Sequence, residues 1–211
     1  MDPRIPVPAT TFGPDARLRL VHLTMALLVL FSTVEVYVPY FGQHLQGLGP
    51  LAAGYLGAIL AAGWTLGSIV CSGMSHRSGL ITGIGPVFSL IGLVGLFFAG
   101  PVHSGAVTAV AAVGVALLLL GWGIGMAWPH LLTRVLQLTP EEDQDLAGSS
   151  VTTIQLTATA FGSALAGTVA NVIGFSGSAG AGDLQSTARW MFGLFAVAPL
   201  AAVMTARYAR H

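Results

Sequence analysis

Six long apolar stretches dominate this sequence and limit what the chain can fold into. Each stretch is long enough to cross the core of a bilayer, which is roughly 30 Å thick. Because lipid offers the backbone no hydrogen-bond partners, each stretch must be a helix, and the alternation expected of barrel strands is absent. We place the spans near residues 19–41, 51–73, 82–100, 106–132, 148–174 and 187–207. The predicted fold class is an all-α membrane protein with six transmembrane helices.

The scarcity of charged residues supports the same conclusion. Of the 211 residues, 54% are hydrophobic and only 8% are charged, whereas a soluble domain carries about 25% charged residues. Eight basic residues balance eight acidic ones, so the chain lacks the strongly basic surface that nucleic acid requires. We therefore expect a lipid bilayer around most of the surface and no nucleic-acid partner.

Arginine placement predicts the orientation in the membrane. Seven of the eight arginines fall in segments that would be cytoplasmic if the N-terminus is inside, and Arg189 alone would be external. This asymmetry follows the positive-inside rule, so we expect both termini to be cytoplasmic, in an inner or plasma membrane. Residues 1–18 are proline-rich and lack a signal-peptide pattern, which predicts a cytoplasmic lead-in to a transmembrane domain at 19–211.

Glu35 is the one acid well inside an apolar span. A carboxylate at this depth is costly unless it is paired, hydrated or protonated. The same face of the first helix carries Thr24, Leu28, Phe31 and Ser32, with Tyr37 following toward the external side. This mixture of polar and aromatic groups is typical of a cavity wall. We favour a site for a proton or a cationic substrate over a buried acid that serves only structure.

The fourth span contains a proline that is expected to loosen its inner end. Pro129 is flanked by Trp128 and His130, and a proline inside a helix removes one backbone hydrogen bond. His130 is a possible proton-relay group, although a histidine near the membrane interface more often simply meets water. Trp128 and His130 are added to the predicted substrate or proton site.

The second and fifth spans carry small residues and polar stripes. Gly63 and Gly67 flank Trp64 at a spacing that permits close helix packing, with a face toward a second half or a pathway as the alternative. One face of the fifth span holds Thr152, Gln155, Thr159 and Ser163. Hydrogen bonding between helices and a solvated pathway explain this stripe equally well.

The distribution of these features suggests an internal repeat. The first and fourth spans hold the deep acid and the proline kink, and the second and fifth hold small residues and polar stripes. The third and sixth are almost wholly apolar, which is typical of a lipid-facing scaffold. Two triplets with matching roles predict two inverted three-helix repeats, since three crossings reverse the topology.

The remaining chemistry-bearing residues indicate no metal, cofactor or catalytic site. Four acids cluster in the segment 133–147, but no matching ligand set surrounds them, so a solvated loop explains them better than a metal site. Cys71 stands alone in an apolar run and is interpreted as packing volume. Since neither a metal-ligand spacing nor a nucleophile motif occurs, we do not expect an enzyme.

Several runs of the sequence resemble the major facilitator superfamily, in particular its drug–proton antiporter branch. The family's seventh and eighth helices are similar to FSTVEVYVPYFGQHLQGLGPLAAGYLGAILAAGWTLGSIV, and its tenth to GWGIGMAWPHLLTRVL. The polar run after Gln144 resembles the eleventh helix. The segment SGMSHRSGL resembles the family's cytoplasmic Gly-Asp-Arg-Gly motif, in which Arg77 and Gly79 match and His76 replaces the acid. This copy is degenerate and leaves a tight glycine turn and one arginine.

This resemblance implies the C-terminal six-helix half of a secondary transporter. It implies that spans one and four line a cavity, that spans two and five face the other half, and that Glu35 serves proton coupling or recognition of cationic, drug-like molecules. A second half, either another copy or a separately encoded N-terminal half, would complete the substrate site. The alternative is a non-transporting regulatory or assembly subunit, or a truncated fragment.

Overall fold

Eight α-helices make up most of the chain that this computed structural model describes, residues 16–173 and 181–208. They are α1 (Ala16–Ser32), α2 (Val38–His44), α3 (Pro50–Ser72), α4 (Ser78–Ala99), α5 (Val107–Leu138), α6 (Gln144–Ile173), α7 (Ala181–Phe195) and α8 (Val197–Tyr208). Short 3-10 turns occur at Thr33–Tyr37, Ser75–Arg77 and Glu141–Asp143. The described residues contain no strand, and the predicted all-α fold class is confirmed. Predictions that concern residues 1–15 and 174–180 fall outside the described residues.

Six helical segments are long and apolar enough to cross a membrane, as predicted. These spans are Ala16–His44, Pro50–Ser72, Ser75–Ala99, Val107–Leu138, Glu141–Ile173 and Asp183–Arg207. The third, fourth and fifth spans extend furthest beyond the predicted limits, by six or seven residues at one end, because apolarity marks the thickness of the hydrocarbon core and not the full length of a helix. The connection predicted at 133–147 is therefore shorter in the structure, where only residues 139–143 lie between α5 and α6.

Prolines explain why the first and sixth spans each consist of two helices. Pro39 has no N–H to donate to the Glu35 carbonyl, and the N–H of Val38 donates to that carbonyl instead, which closes a tighter 3-10 turn. Pro199 likewise cannot donate to the carbonyl of Phe195, where α7 ends. The break in the first span places Glu35 at an irregular point of the backbone.

Glycines let α5 pack closely against α3 and α4. A Cβ at Gly121 or Gly125 would collide with the backbone of α3 at Leu60 and Trp64, and a Cβ at Gly123 would collide with the backbone of α4. Ser89 Oγ of α4 also donates to a carbonyl of α5 at 3.0 Å. Because the backbones of α3 and α4 both approach α5 this closely, α5 is the central helix of their contact.

The packing of the helices follows the predicted repeat. The first span packs on the fifth and the sixth, through contacts of α1 with α6 and α8. The fourth span packs on the second and the third, through contacts of α5 with α3 and α4. The leading span of each triplet thus contacts the two later spans of the other triplet, as expected of two inverted three-helix repeats.

The third and sixth spans are more deeply packed than the prediction of a lipid-facing scaffold suggested. About half of the third span (50%) and 44% of the sixth are buried in the six-helix unit, against 28% for the second and the fifth. The exposed sides of the third and sixth spans remain strongly apolar, with residues such as Ile91, Phe98 and Leu200. Lipid therefore meets one face of each of these spans and protein meets the other.

Candidate functional site

Glu35 lies in the 3-10 turn that interrupts the first span. Its side chain is half-buried, between the buried Val34 and the exposed Val36. The Glu35 carboxylate makes no hydrogen bond or ion pair with any residue that the structure describes. The interpretation of Glu35 as an acid bonded to a neighbouring helix therefore has no support in this part of the chain, and the carboxylate is open to a proton or a ligand.

The rest of the helix face predicted to form a cavity wall is packed inside the six-helix unit. Phe31 is fully buried, and Ser32 Oγ donates to a carbonyl of its own helix at 2.8 Å. Thr24 Oγ1 also donates to its own helix, at 2.7 Å, and lies 2.8 Å from Oγ1 of Thr205 on α8. Packing explains Phe31, and bonds to their own helix explain the two hydroxyls. A role of these three residues in a substrate or proton site stays a prediction.

Small residues bring α6 beside the turn that carries Glu35. A Cβ at Gly162 would lie 2.5 Å from Oγ1 of Thr33. A Cβ at Gly167 would lie 3.7 Å from the hydroxyl of Tyr37, which is half-buried. The structure thus places Tyr37 of the predicted site, and the turn that carries Glu35, next to the fifth span.

The polar stripe of the fifth span faces away from the rest of the unit. Thr152, Thr159 and Ser163 are exposed and Gln155 is half-buried. Thr159 Oγ1 donates to the Gln155 carbonyl of the same helix at 2.9 Å. Within the described ranges, none of these four side chains bonds to another helix. Hydrogen bonding between helices inside this unit therefore does not explain the stripe, which is available to water, substrate or further protein.

The glycine pair of the second span lies inside the unit. Gly63 and Gly67 are buried against α5, and a Cβ at Gly67 would lie 2.6 Å from the Trp122 carbonyl. Their assignment to a face toward a second half or a pathway is wrong, because a glycine face in contact with another backbone leaves no room for a third element. Trp64 is half-buried, and its ring centroid lies 5.7 Å from that of Trp128 in the fourth span.

His130 is buried and does not simply meet water at an interface. Its Nε2 lies 2.9 Å from the Cys71 carbonyl, and since a carbonyl can only accept, Nε2 is the donor. The bond ties α5 to the end of α3. Pro129 does not end α5, which continues to Leu138. A proton-relay role for His130 stays a prediction.

The degenerate loop motif has a different local structure from the predicted glycine turn. Arg77 is exposed at the end of a 3-10 turn, and Gly79 lies in the first turn of α4. Among the described residues, a positive φ occurs at Gly47 alone, with φ of 65°. The prediction of a tight glycine turn at Gly79 is wrong, since a helical conformation there needs no glycine.

An apolar groove between the first and fifth spans was not anticipated from the sequence. It has a volume of about 370 Å³ and is lined by Leu27 and Leu30 from α1 and by Ile154 and Phe161 from α6, among others. Each helix is apolar in its own right, so neither sequence segment signals the groove.

Known proteins are similar to this chain in sequence, and one solved structure is similar to it in fold. The sequence profile of the Major Facilitator Superfamily matches residues 5–163. Probable multidrug-efflux transporters of two Mycobacterium tuberculosis strains are each 36% identical over 214 residues, which cover 97% of this chain and 42% of theirs. The xylose transporter XylE from E. coli, in an inward-open conformation, matches with a TM-score of 0.70 at 20% identity, covering 90% of this chain and 46% of that one. The chain spans less than half the length of these relatives.

Proposed function

We propose that this chain, which belongs to the major facilitator superfamily, is one half of a secondary transporter that exports small amphipathic or drug-like molecules in exchange for protons. The observation that carries the proposal is the similarity, along nearly the whole chain, to probable multidrug-efflux transporters. The family consists of transporters, which agrees with the prediction that the chain is not an enzyme.

A second six-helix half would complete the transporter, as another copy of this chain or as a separately encoded N-terminal half. Substrate sites of such transporters lie at the interface between repeats, near the middle of the membrane. Two observations support this arrangement: the chain covers less than half of its relatives' length, and the polar stripe of the fifth span is exposed although it belongs to a membrane helix. That stripe would face the second half or the substrate pathway between the halves.

Glu35 would carry the proton or recognise a cationic substrate. Its carboxylate has no partner among the described residues, and it lies in the irregular turn beside the fifth span. A proton that binds more tightly in one access state than in the other shifts the equilibrium between the two states. The orientation we propose puts both termini in the cytoplasm, because seven of the eight arginines then follow the positive-inside rule.

The test is the Glu35→Gln variant, measured as drug efflux from proteoliposomes with and without an imposed proton gradient. Glutamine keeps the size of the side chain and removes its titration, so we expect gradient-driven efflux to fall to background while the thermal unfolding midpoint stays unchanged. Glu141→Gln, in the exposed turn at the start of the fifth span, removes the same charge far from Glu35 in the sequence and serves as the matched control.

Gradient-driven efflux retained in Glu35→Gln would remove Glu35 from the mechanism. The absence of any efflux from the wild-type protein, reconstituted with its second half, would favour the non-transporting alternative. The two results are distinguishable because the wild-type protein transports drug in the first case and does not in the second.

A further inference from the structure

A polar cavity lies at the end of the molecule where α3 ends, α4 begins and α5 ends. It has a volume of about 160 Å³ and is lined by nine residues. Among them are Ser75, Ser78, Thr82, His130, Arg134 and Gln137. Pro129 is the only apolar residue in the lining, and none of the nine is acidic. The lining is therefore polar, and its one permanent charge is the guanidinium of Arg134.

The groups that line this cavity offer hydrogen-bond donors that the protein itself does not use. The side chains of Ser75, Ser78, Arg134 and Gln137 have no hydrogen bond or ion pair within the described part of the chain. The hydroxyl of Thr82, by contrast, donates to the Ser78 carbonyl at 2.8 Å. Hydroxyl, amide and guanidinium donors in a lining without a carboxylate are the groups that an anion requires.

Neighbouring contacts hold the walls of the cavity in place. The buried His130 joins α5 to the Cys71 carbonyl at 2.9 Å. Ser68 Oγ of α3 donates to the Gly125 carbonyl of α5 at 3.2 Å. These bonds fix α5 against the end of α3, just before the turn that carries Ser75, so a bound anion would not need to order this part of the fold.

We propose that this cavity binds a phosphate group through Arg134 and the hydroxyls of Ser75 and Ser78. The planar guanidinium of arginine presents paired donors that match the oxygens of a phosphate. A volume of about 160 Å³ is many times the roughly 10–15 Å³ that one water requires on the same measure, so a phosphate group fits together with waters. The group would come either from a free phosphate compound or from the head group of an anionic phospholipid, and it would bridge α4 and α5.

The first arm of the test uses inorganic phosphate and the intact protein in a phosphate-free detergent, with binding followed by calorimetry. We expect saturable binding that weakens at least about tenfold in Arg134→Gln, because a charge-assisted contact is lost. Arg77→Gln removes the same charge from an exposed residue that does not line the cavity, and it should bind phosphate like the wild type.

The second arm uses native mass spectrometry of the intact protein taken from nanodiscs that contain phosphatidylglycerol, in phosphate-free buffer. Lipid retained by the wild type and by Arg77→Gln but lost from Arg134→Gln identifies a head group as the ligand. Binding in the first arm alone identifies a free phosphate compound. If Arg134→Gln matches the wild type in both arms, or if the wild type binds neither probe, the proposal is overturned.

A second variant covers the case in which Arg134→Gln does not fold. The double change Ser75→Ala and Ser78→Ala removes two unused hydroxyls and leaves every charge in place. It should weaken phosphate or lipid binding severalfold without lowering the thermal unfolding midpoint. Unchanged binding in this double variant would equally count against the cavity as the site.

Discussion

The two longest helices, α5 and α6, have similar lengths and are both rich in small residues, yet they are held in different ways. Glycines of α5 meet the backbones of α3 on one side and α4 on the other. In α6, Gly162 alone makes such a close approach, Gly148 faces open space, and the polar stripe is exposed. Close contacts on two sides hold α5 rigidly in place. The exposed polar face of α6, by contrast, is available for an interface with further protein or for a solvated pathway.

The largest loss of stability is expected from Gly125→Ala, which tests the close contact between α5 and α3. The new methyl group would collide with the Trp64 carbonyl, a backbone atom that cannot rotate away. We expect a loss of about 1–3 kcal/mol or more, as for other overpacked cores, seen as a lower midpoint of thermal unfolding in detergent. Gly114→Ala in the same helix is the control, since its methyl would meet Ile59 Cδ1 at an ordinary 3.5 Å. Equal midpoints for the two variants would mean that α5 is not locked by its glycines.

A smaller loss of stability is expected from Gly162→Ala, at the one close contact between α6 and the turn that carries Glu35. The methyl would lie 2.5 Å from Oγ1 of Thr33, a side chain that can shift, and 2.8 Å from the Leu30 carbonyl, a milder backbone contact than the one at Gly125. We therefore expect about 1–2 kcal/mol of destabilisation. Efflux should fall more than stability, because α6 is displaced beside Glu35. Gly148→Ala, which adds a methyl group in open space, should leave both unfolding and efflux unchanged. If efflux survives in Gly162→Ala, the contact between α6 and the turn is only structural.

The smallest effect on stability is expected from Thr159→Val, on the free face of α6. Thr159 is exposed and bonds only to its own helix, so the unfolding free energy should change by no more than about 0.5 kcal/mol. Association with the second half, followed by co-purification, should weaken, or efflux should fall. Thr108→Val, an exposed threonine at the start of α5, is the matched control. A Thr159→Val protein with normal assembly and normal efflux would show that the stripe meets neither partner nor substrate.

The sequence identified individual residues of the candidate site, such as Glu35, better than the hydrogen bonds and packing of the residues around them. It singled out Glu35 as a deep acid, and the structure leaves that carboxylate without a partner among the described residues. It could not show that Thr24 and Ser32 bond to their own helix, because a hydroxyl bonded in this way and a hydroxyl facing water have the same sequence signature. The polar cavity around Arg134 was missed because its donors come from two segments, 72–82 and 129–137, that are distant in the sequence.

The sequence by itself determined the number of spans, their helical form and the six-helix half of the family fold. These follow from local properties, since any apolar segment of sufficient length must satisfy its own backbone bonds in lipid. Only the tertiary structure decided that Gly63 and Gly67 face α5 and that His130 is bonded to Cys71. A stripe of small residues looks the same whether it meets a helix of its own unit, a second half or lipid. The choice among them depends on how distant segments pack, which no local pattern contains.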